Sequence, residues 1–359
     1  MMYGSFSVGS PERRRLVKKV DELLPDPATI KEPKARHDME KRRKKVLSRV
    51  EGRPEAGVDI VVGNAKIGTM SQFSLPAGQH FRKAACPGAT ELCERLCYAK
   101  KIFFRMHEWR YFLNWAYVLL FPERFLEIWR MAALTGVVRV HVGGDYFSAD
   151  YVKMWLEICR SRSSNRFYSY TRSWQDGHGN VRKDFLAPLR KLATLDNSRL
   201  VLSCDRETGV PPADLIPGSI RAWLARDDQD LPGMPVELIF RDKRGMTATA
   251  SQMGGAPVCP VERSPKYKKI SGKISCTNCT FCYSTGHLMF GQRDDDPSKL
   301  DMFAGLDVEE RASSLFREFW DRPSGPAMRG SSAATEDCVC GAAAICVHCR
   351  TCALCLCGC

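Results

Sequence analysis

Short apolar runs alternate with helical patterns between residues 137 and 241, and this alternation limits the chain to few folds. The strand-like runs are VVRVHV (137–142), RFYSYT (166–171), LVLSCD (200–205), IRAWLA (220–225) and VELIFR (236–241). Helical spacing of apolar residues predicts helices from Ser148 to Cys159 and around Leu186 to Leu195. Strands that alternate with helices favour an α/β fold with a parallel sheet or barrel, in which active sites lie at the carboxyl ends of the strands.

A group of three cysteines stands where the first connection of such a sheet is expected. IGTMSQFSLP (67–76) is a candidate first strand, and CPGATELCERLCYAKK follows it closely. Cys86, Cys93 and Cys97 lie in that segment, before a predicted long helix from Lys101 to Phe121. The order therefore places three thiols at the carboxyl edge of the predicted sheet.

Composition limits the class of protein. With 359 residues, 44% of them apolar, the chain is long enough to bury a large core. Its most apolar window, YFLNWAYVLLF (111–121), is too short and too closely flanked by charges to cross a bilayer. The start of the sequence lacks the apolar run of an export signal, so we expect a cytoplasmic protein without membrane contact. Seventeen cysteines in a reducing compartment indicate metal ligation rather than disulfides.

A second cysteine group follows the last predicted strand. Cys276, Cys279 and Cys282 have C-x2-C-x2-C spacing, and Cys259 precedes them as a fourth thiol. This spacing is typical of ferredoxin-like [4Fe–4S] clusters and favours iron over zinc. Such a cluster would carry electrons or anchor a substrate, and the structural interpretation is a clip that stabilises this end of the barrel.

Both ends of the chain differ in composition from its middle. The formal net charge is +13, and residues 1–56 hold 15 Lys and Arg against 9 Asp and Glu, which favours a nucleic acid, nucleotide or other phosphorylated partner. Eight cysteines are concentrated in DCVCGAAAICVHCRTCALCLCGC at the C-terminal end. The predicted organisation is a basic arm (1–58), an α/β barrel (59–245), a segment with the second cysteine group and a C-terminal helix (246–322), and a linker with the cysteine-rich tail (323–359).

Four motifs in a fixed order carry a family resemblance. FSLPAGQHFRKAACPGATELCERLCYA, VHVGGDYFSADYV, YSYTRSW and SCDRETG together resemble the gene product 88 family of phage proteins, over about residues 60–290. The order of strand, cysteine loop, long helix and Gly-Gly-acid turn also resembles the radical S-adenosylmethionine enzymes. That resemblance implies a partial (β/α)6 barrel with an iron–sulfur loop.

The resemblance also implies roles for individual residues. Cys86, Cys93 and Cys97 would each ligate one iron of a [4Fe–4S] cluster, and the fourth iron would bind S-adenosylmethionine and cleave it reductively to a 5′-deoxyadenosyl radical. A ferredoxin or flavodoxin would supply the electron. Tyr98 would pack beside the adenine. The remaining cofactor contacts would come from Gly143, Gly144, Asp145, Ser169, Thr171 and Ser203, and the catalytic candidates are Arg172, Cys204 and Asp205.

The sequence departs from that superfamily at two points and leaves two other functions open. The spacing of the first group is C-x6-C-x3-C instead of C-x3-C-x2-C, and Asp145 replaces the usual glutamate. With His80 or His107 as a fourth ligand, Cys86, Cys93 and Cys97 would suit zinc instead. The chain would then be a non-catalytic, metal-stapled nucleic-acid-binding protein. The other alternative is an iron–sulfur redox protein that does not use S-adenosylmethionine.

Overall fold

A computed structural model describes most of the chain as far as the last strand of its sheet. The described residues are 7, 9–52, 58–64, 68–77, 85–100, 107–227 and 229–241, with the single positions 259, 276, 282 and 283. All of them belong to one compact unit, Met1–Lys299. His80, Cys279 and the predicted linker and tail (323–359) lie outside the described residues.

The described residues form one sheet of seven strands in chain order. The strand β1 is antiparallel to β2, and every later neighbour is parallel. The α/β class is therefore confirmed, and the described sheet is mostly parallel and open; a barrel stays a prediction. The strands are β1 (Val61–Asn64), β2 (Gly68–Phe73), β3 (Val137–Val140), β4 (Arg166–Thr171), β5 (Ser198–Cys204), β6 (Ile220–Ala225) and β7 (Leu238–Arg241).

Some of the helices start at recognisable capping residues or at a proline in the first turn. The Ser148 hydroxyl accepts the Tyr151 amide at 3.1 Å before α6, Ser10 caps α1, and Pro122 opens α5. The described helices are α1 (Pro11–Leu23), α2 (Pro33–Glu51), α3 (Glu91–Leu96), α4 (Glu108–Leu120), α5 (Pro122–Met131), α6 (Ala149–Ser161) and α7 (Lys183–Ala193), with short 3-10 turns at Pro27–Thr29 and Tyr98–Lys100. No helix among them is long and apolar enough to span a membrane.

The two faces of the sheet carry different side chains, because alternate residues of a strand point to opposite faces. Phe73, Val140, Phe167 and Leu202 face the helices and share one core with Trp155 of α6. The other face, hereafter the inner face, carries a second set of side chains, most of which cluster with cysteines of the second group. They are Met70, Arg139, Tyr168, Tyr170, Val201, Ala222 and Leu238.

Two features of the fold lie outside the strand predictions. The sequence did not predict β1, which pairs with β2 through residues such as Val62 and Ser71. The segment interpreted as a basic arm forms α1 and α2, which pack against each other and against α4. Their apolar residues join the main core, and Arg42 of α2 forms an ion pair with Glu108 of α4 at 2.9 Å.

Candidate active site at the carboxyl edge of the sheet

The first cysteine loop is held by the loops that follow three successive strands. The amide of Asp145, after β3, donates to the carbonyl of Ala85 at 2.7 Å. The Gln175 side chain, after β4, donates to the carbonyl of Gly88 at 2.6 Å. Glu207, after β5, accepts the Leu92 amide at 2.9 Å. These three bonds connect the described part of the cysteine loop to the carboxyl edge of the sheet.

A buried ion pair lies beneath this loop. Arg172 donates to Asp205 at 2.6 Å, and the side chains are only 8% and 0% exposed. The same Asp205 oxygen accepts the Thr90 hydroxyl at 2.8 Å, while that hydroxyl accepts the Cys93 amide at 2.9 Å. The pair is thus connected to a cysteine through one threonine, which is the N-cap of α3.

The three thiols of the loop are neighbours. The pKa of Cys86 is raised well above its ordinary value, first by burial, then by Asp145, and then by the repulsion that Cys93 and Cys97 exert when they are ionised. Burial also raises the pKa of Cys93, against the opposing effect of the Arg172 charge. Without a metal, both groups are therefore neutral thiols at physiological pH.

The thiols are not arranged around one point. Within the described part of the chain, no three His, Cys, Asp or Glu side chains are placed to hold a metal ion, and His107 belongs to no such group. A cubane cluster attaches each cysteine to a different iron, so its ligands need not converge on a single position. The thiols are the donor type that iron–sulfur clusters and zinc both take.

The Gly-Gly-Asp turn after β3 packs tightly against the residues after β2. A Cβ on Gly144, which has a φ of +81°, would lie 2.5 Å from the Cβ of Leu75. The Leu75 amide donates to the Gly143 carbonyl at 2.8 Å. The Asp145 carboxylate accepts the amides of Arg172 and Tyr146, both at 2.7 Å. The Asp145 carboxylate therefore links the loops that follow β3 and β4.

Asp145 is also unusual electrostatically. Burial raises the pKa of its carboxyl to about 6, although the hydrogen bonds that it accepts act in the opposite direction. The side chain is 6% exposed and lies within electrostatic range of Cys86 and Cys93. A cation bound near these thiols would favour the ionised carboxylate.

The remaining predicted residues fall into two groups. Tyr98 is 39% exposed, and its hydroxyl donates to the Val142 carbonyl just before the Gly-Gly-Asp turn. Ser203 is half-buried on the inner face. The other three lie in the buried interior: Ser169 accepts the Tyr146 hydroxyl at 3.0 Å, Thr171 accepts the Ser173 amide at 3.0 Å, and Cys204 has no exposed surface.

Cys204 lies in the main core, on the face of the sheet that is covered by helices. Its thiol faces the Ala222 carbonyl at 3.4 Å, and burial raises its pKa to about 12. A thiol with this pKa is a poor nucleophile near neutral pH. Its position therefore supports packing rather than chemistry.

Sequence reasoning missed the residues that join the loops. Thr90 stands directly before a short acidic helical turn, which is a recognisable N-cap signal. Gly88 has no comparable signal, although a Cβ at this position would overlap the Arg172 carbonyl. Gln175 and Glu207 act on parts of the chain far from them in sequence, so no local pattern indicates their role.

The second cysteine group contacts the inner face of the sheet. The Tyr170 hydroxyl donates to the Cys282 sulfur at 2.7 Å. Cys276 packs beside Tyr168, and the amide of Cys259 donates to the Ile239 carbonyl at 2.9 Å. Three of the four predicted ligands therefore lie against one face, and the fourth, Cys279, is outside the described residues.

Comparisons with known proteins identify relatives but no solved template. Two curated proteins, each called "Gene 88 protein", are 32% identical (Mycobacterium phage D29) and 31% identical (Mycobacterium phage L5) over 124 residues. The match covers 31% of this chain, and the chain spans about half the length of each relative. No solved structure matches the chain. The gene product 88 family model matches residues 39–285, more than half of the sequence, and the chain therefore belongs to the gene product 88 family.

Proposed function

We propose that this protein is an iron–sulfur enzyme that reductively cleaves S-adenosylmethionine and acts on a nucleotide, nucleic acid or other anionic substrate. One observation carries the proposal. A loop with three neighbouring thiols is fixed at the carboxyl edge of a parallel sheet by the loops after β3, β4 and β5. In α/β folds this edge is where ligands bind and chemistry occurs.

The cysteines fit a [4Fe–4S] cluster better than a single ion. Cys86, Cys93 and Cys97 are close enough to influence one another electrostatically, yet within the described part of the chain they form no single-ion site. Three thiolates leave one iron of a cubane without a protein ligand. When bound, the cluster would supply the electron for cofactor cleavage.

The polar residues around the loop would prepare this site. Arg172 lies beside Cys93 and opposes the burial that disfavours its thiolate, so it would help to compensate the negative charge of a thiolate-ligated cluster. Asp205 holds Arg172 in position and is shielded from solvent. We therefore assign Arg172 and Asp205 to positioning and charge compensation. Gly143 and Gly144 let the turn after β3 pack closely against Leu75, which fixes the position of Asp145 beside the loop.

The test is electron paramagnetic resonance of the anaerobically reconstituted and reduced protein, with and without S-adenosylmethionine. A [4Fe–4S] signal that changes shape when the cofactor is added supports the proposal. Cys93→Ala should lose that response, whereas Cys159→Ala, a change in a buried thiol of α6, should retain it. A signal that is indifferent to the cofactor would leave an iron–sulfur redox protein, with no S-adenosylmethionine chemistry.

A second candidate function is nucleic-acid binding by a metal-stapled protein without catalysis. The observation that favours it is the basic outer surface of α1 and α2, which exposes Arg14, Arg15, Lys18, Lys41 and Lys44 among others. Binding to phosphates would weaken steeply with salt. Under this function Cys93→Ala should lose folding stability together with nucleic-acid binding, whereas the enzyme should keep its fold and lose only cofactor cleavage.

A further inference from the structure

Arg139 of β3 is buried on the inner face and meets no acidic side chain among the described residues. The residue is 7% exposed. Its guanidinium donates one hydrogen bond, to the Tyr98 hydroxyl at 3.3 Å, and its Nε has no partner. The two other arginines of the described residues that are as deeply buried both meet carboxylates: Arg172 pairs with Asp205 and Arg221 with Glu237.

Aromatic rings and thiols surround the charge of Arg139. The guanidinium carbon lies 5.9 Å from the ring centre of Tyr168 and 5.4 Å from that of Tyr170. Cys276 is within electrostatic range, and Cys282 accepts the Tyr170 hydroxyl. Ring contacts offset part of the cost of burial, but they leave hydrogen-bond donors of the guanidinium unused.

Burying an unpaired cation is costly, because it loses its hydration without gaining a counter-charge. A hydrophobic residue would cover the same strand position at lower cost. Charged groups that lack a structural partner are concentrated at functional sites, where a bound ligand supplies the missing counter-charge. The guanidinium presents forked donors that match the two oxygens of a carboxylate or phosphate.

We propose that Arg139 anchors an oxyanion, the carboxylate or phosphate of the molecule on which the protein acts. Tyr98 connects this position to the first cysteine group, because it follows Cys97 directly and contacts Arg139 with its hydroxyl. The identification of the anion as part of a substrate rests on the proposed function, whereas the anion site itself can be tested without it.

The test uses the full-length, reduced, metal-free protein and measures its thermal unfolding with inorganic phosphate, and separately with malonate, at constant ionic strength set by chloride. A saturable rise in Tm with one of them is expected, since a ligand that binds only the folded state stabilises it. The more effective anion shows whether the site takes a phosphate or a carboxylate. If neither anion raises Tm above the chloride control, the proposal is wrong.

Arginine variants test whether the anion-dependent rise in Tm arises from Arg139. Arg139→Gln should weaken the anion response at least about tenfold, which is the loss of one charge-assisted interaction. Arg130→Gln removes the same charge from the exposed surface of α5 and should leave the response unchanged. Equal responses of the two variants would show a general charge effect and contradict the proposal.

Arg139→Met separates this role from a structural one. Without anion, its Tm should equal or exceed that of the unchanged protein, because the variant removes an uncompensated charge. A lower Tm, together with a shift of Cys276 alkylation by iodoacetamide to higher pH, would show that the Cys276 thiolate is the counter-charge and would overturn the proposal. Cys93→Ala should still bind the anion, so a failed cofactor test and a failed anion test are distinguishable.

Discussion

His141, directly after β3, combines a left-handed backbone with a fully enclosed ring. Its φ is +61°, its Nε2 lies 2.9 Å from the Tyr151 hydroxyl, and its Nδ1 has no partner. The ring packs edge-on against Tyr146, with centroids 4.8 Å apart. Burial lowers its pKa to about 3. The imidazole is therefore neutral in the folded protein at any physiological pH.

This shift predicts a loss of stability in mild acid. Below pH 6.5 the unfolded chain binds a proton at His141, whereas His141 of the folded protein stays neutral. The free energy of unfolding therefore falls as pH falls. Between pH 6.5 and pH 5 the loss from this residue is about 2 kcal/mol. Urea unfolding of the metal-free protein at both values, compared with His141→Asn, measures it. Asparagine tolerates the left-handed backbone.

The comparison with the variant is needed because Asp145 acts in the opposite direction. Its pKa is raised to about 6, so the folded protein holds an extra proton between about pH 4 and pH 6, and this contribution to stability is lost as pH rises. Subtracting the His141→Asn curve removes the Asp145 contribution. Parallel curves for the two proteins would contradict the assignment to His141.

Gly144 permits a second test at a single position. An alanine there would need a left-handed backbone and would place its Cβ against Leu75. Leu75 cannot retreat easily, since its amide is bonded to Gly143. Gly144→Ala should lower the free energy of unfolding by about 2–4 kcal/mol. The matched control is Gly209→Ala, which has a φ of +66° and open space, and should cost only about 1–2 kcal/mol. Equal losses would show that the contact with Leu75 is unimportant.

At the scale of elements, the Thr90 hydroxyl holds α3 through two hydrogen bonds. Thr90 caps the helix and also donates to buried Asp205. Thr90→Val keeps the shape and removes the hydroxyl, so we expect a loss of about 2–3 kcal/mol. Denaturant unfolding measures this loss. Ser148→Ala, which removes only the cap of α6, should cost about 1 kcal/mol.

The same variant tests whether this cap prepares the cysteine loop. Cys93 lies in α3, so loosening the helix should reduce the amount of iron and sulfide bound after reconstitution. Ser148→Ala should bind as much as the unchanged protein. If Thr90→Val loads normally despite its lower stability, the threonine contributes to folding alone.

The sequence predicts the strands of the sheet far better than the contacts between segments that are distant in the chain. The runs at 166–171 and 220–225 are β4 and β6 with the predicted bounds, because aromatic and β-branched residues favour strands in both of them. The strand β1 is different: it is four residues long, contains Gly63 with a φ of +74°, and exists through its pairing with β2. Such a strand is fixed by tertiary contact rather than by its own pattern.

The candidate site shows the same division. Spacing alone indicated Cys86, Cys93 and Cys97, since these residues are neighbours along the chain. The bonds that fix their loop join residues far apart: Thr90 and Asp205 are separated by 115 positions, as are Leu92 and Glu207. A periodic pattern in the sequence does not predict hydrogen bonds between residues so far apart. Arg139 was missed for a related reason, because its isolation is visible only when its neighbours are known.

At the scale of the whole molecule, the basic N-terminal segment belongs to the fold. Most charged side chains of α1 and α2 are exposed, while their apolar side chains enter the same core as Trp155. Those buried residues are Leu16, Val20, Leu24, Met39, Val46 and Val50. An arm that only carried charge for a partner would not bury six apolar side chains in this way.

This shared core predicts that α1 and the sheet unfold together. Leu16 is 2% exposed, so Leu16→Ala should lower the free energy of unfolding by about 2–4 kcal/mol, through lost burial and the cavity that remains. Tryptophan fluorescence and far-ultraviolet circular dichroism should report one coincident transition, shifted as a whole. Arg15→Ala, on the exposed side of α1, should leave the transition in place. An early loss of helix signal with unchanged tryptophan fluorescence would instead show that α1 melts separately, and the segment would then be an appendage to the sheet.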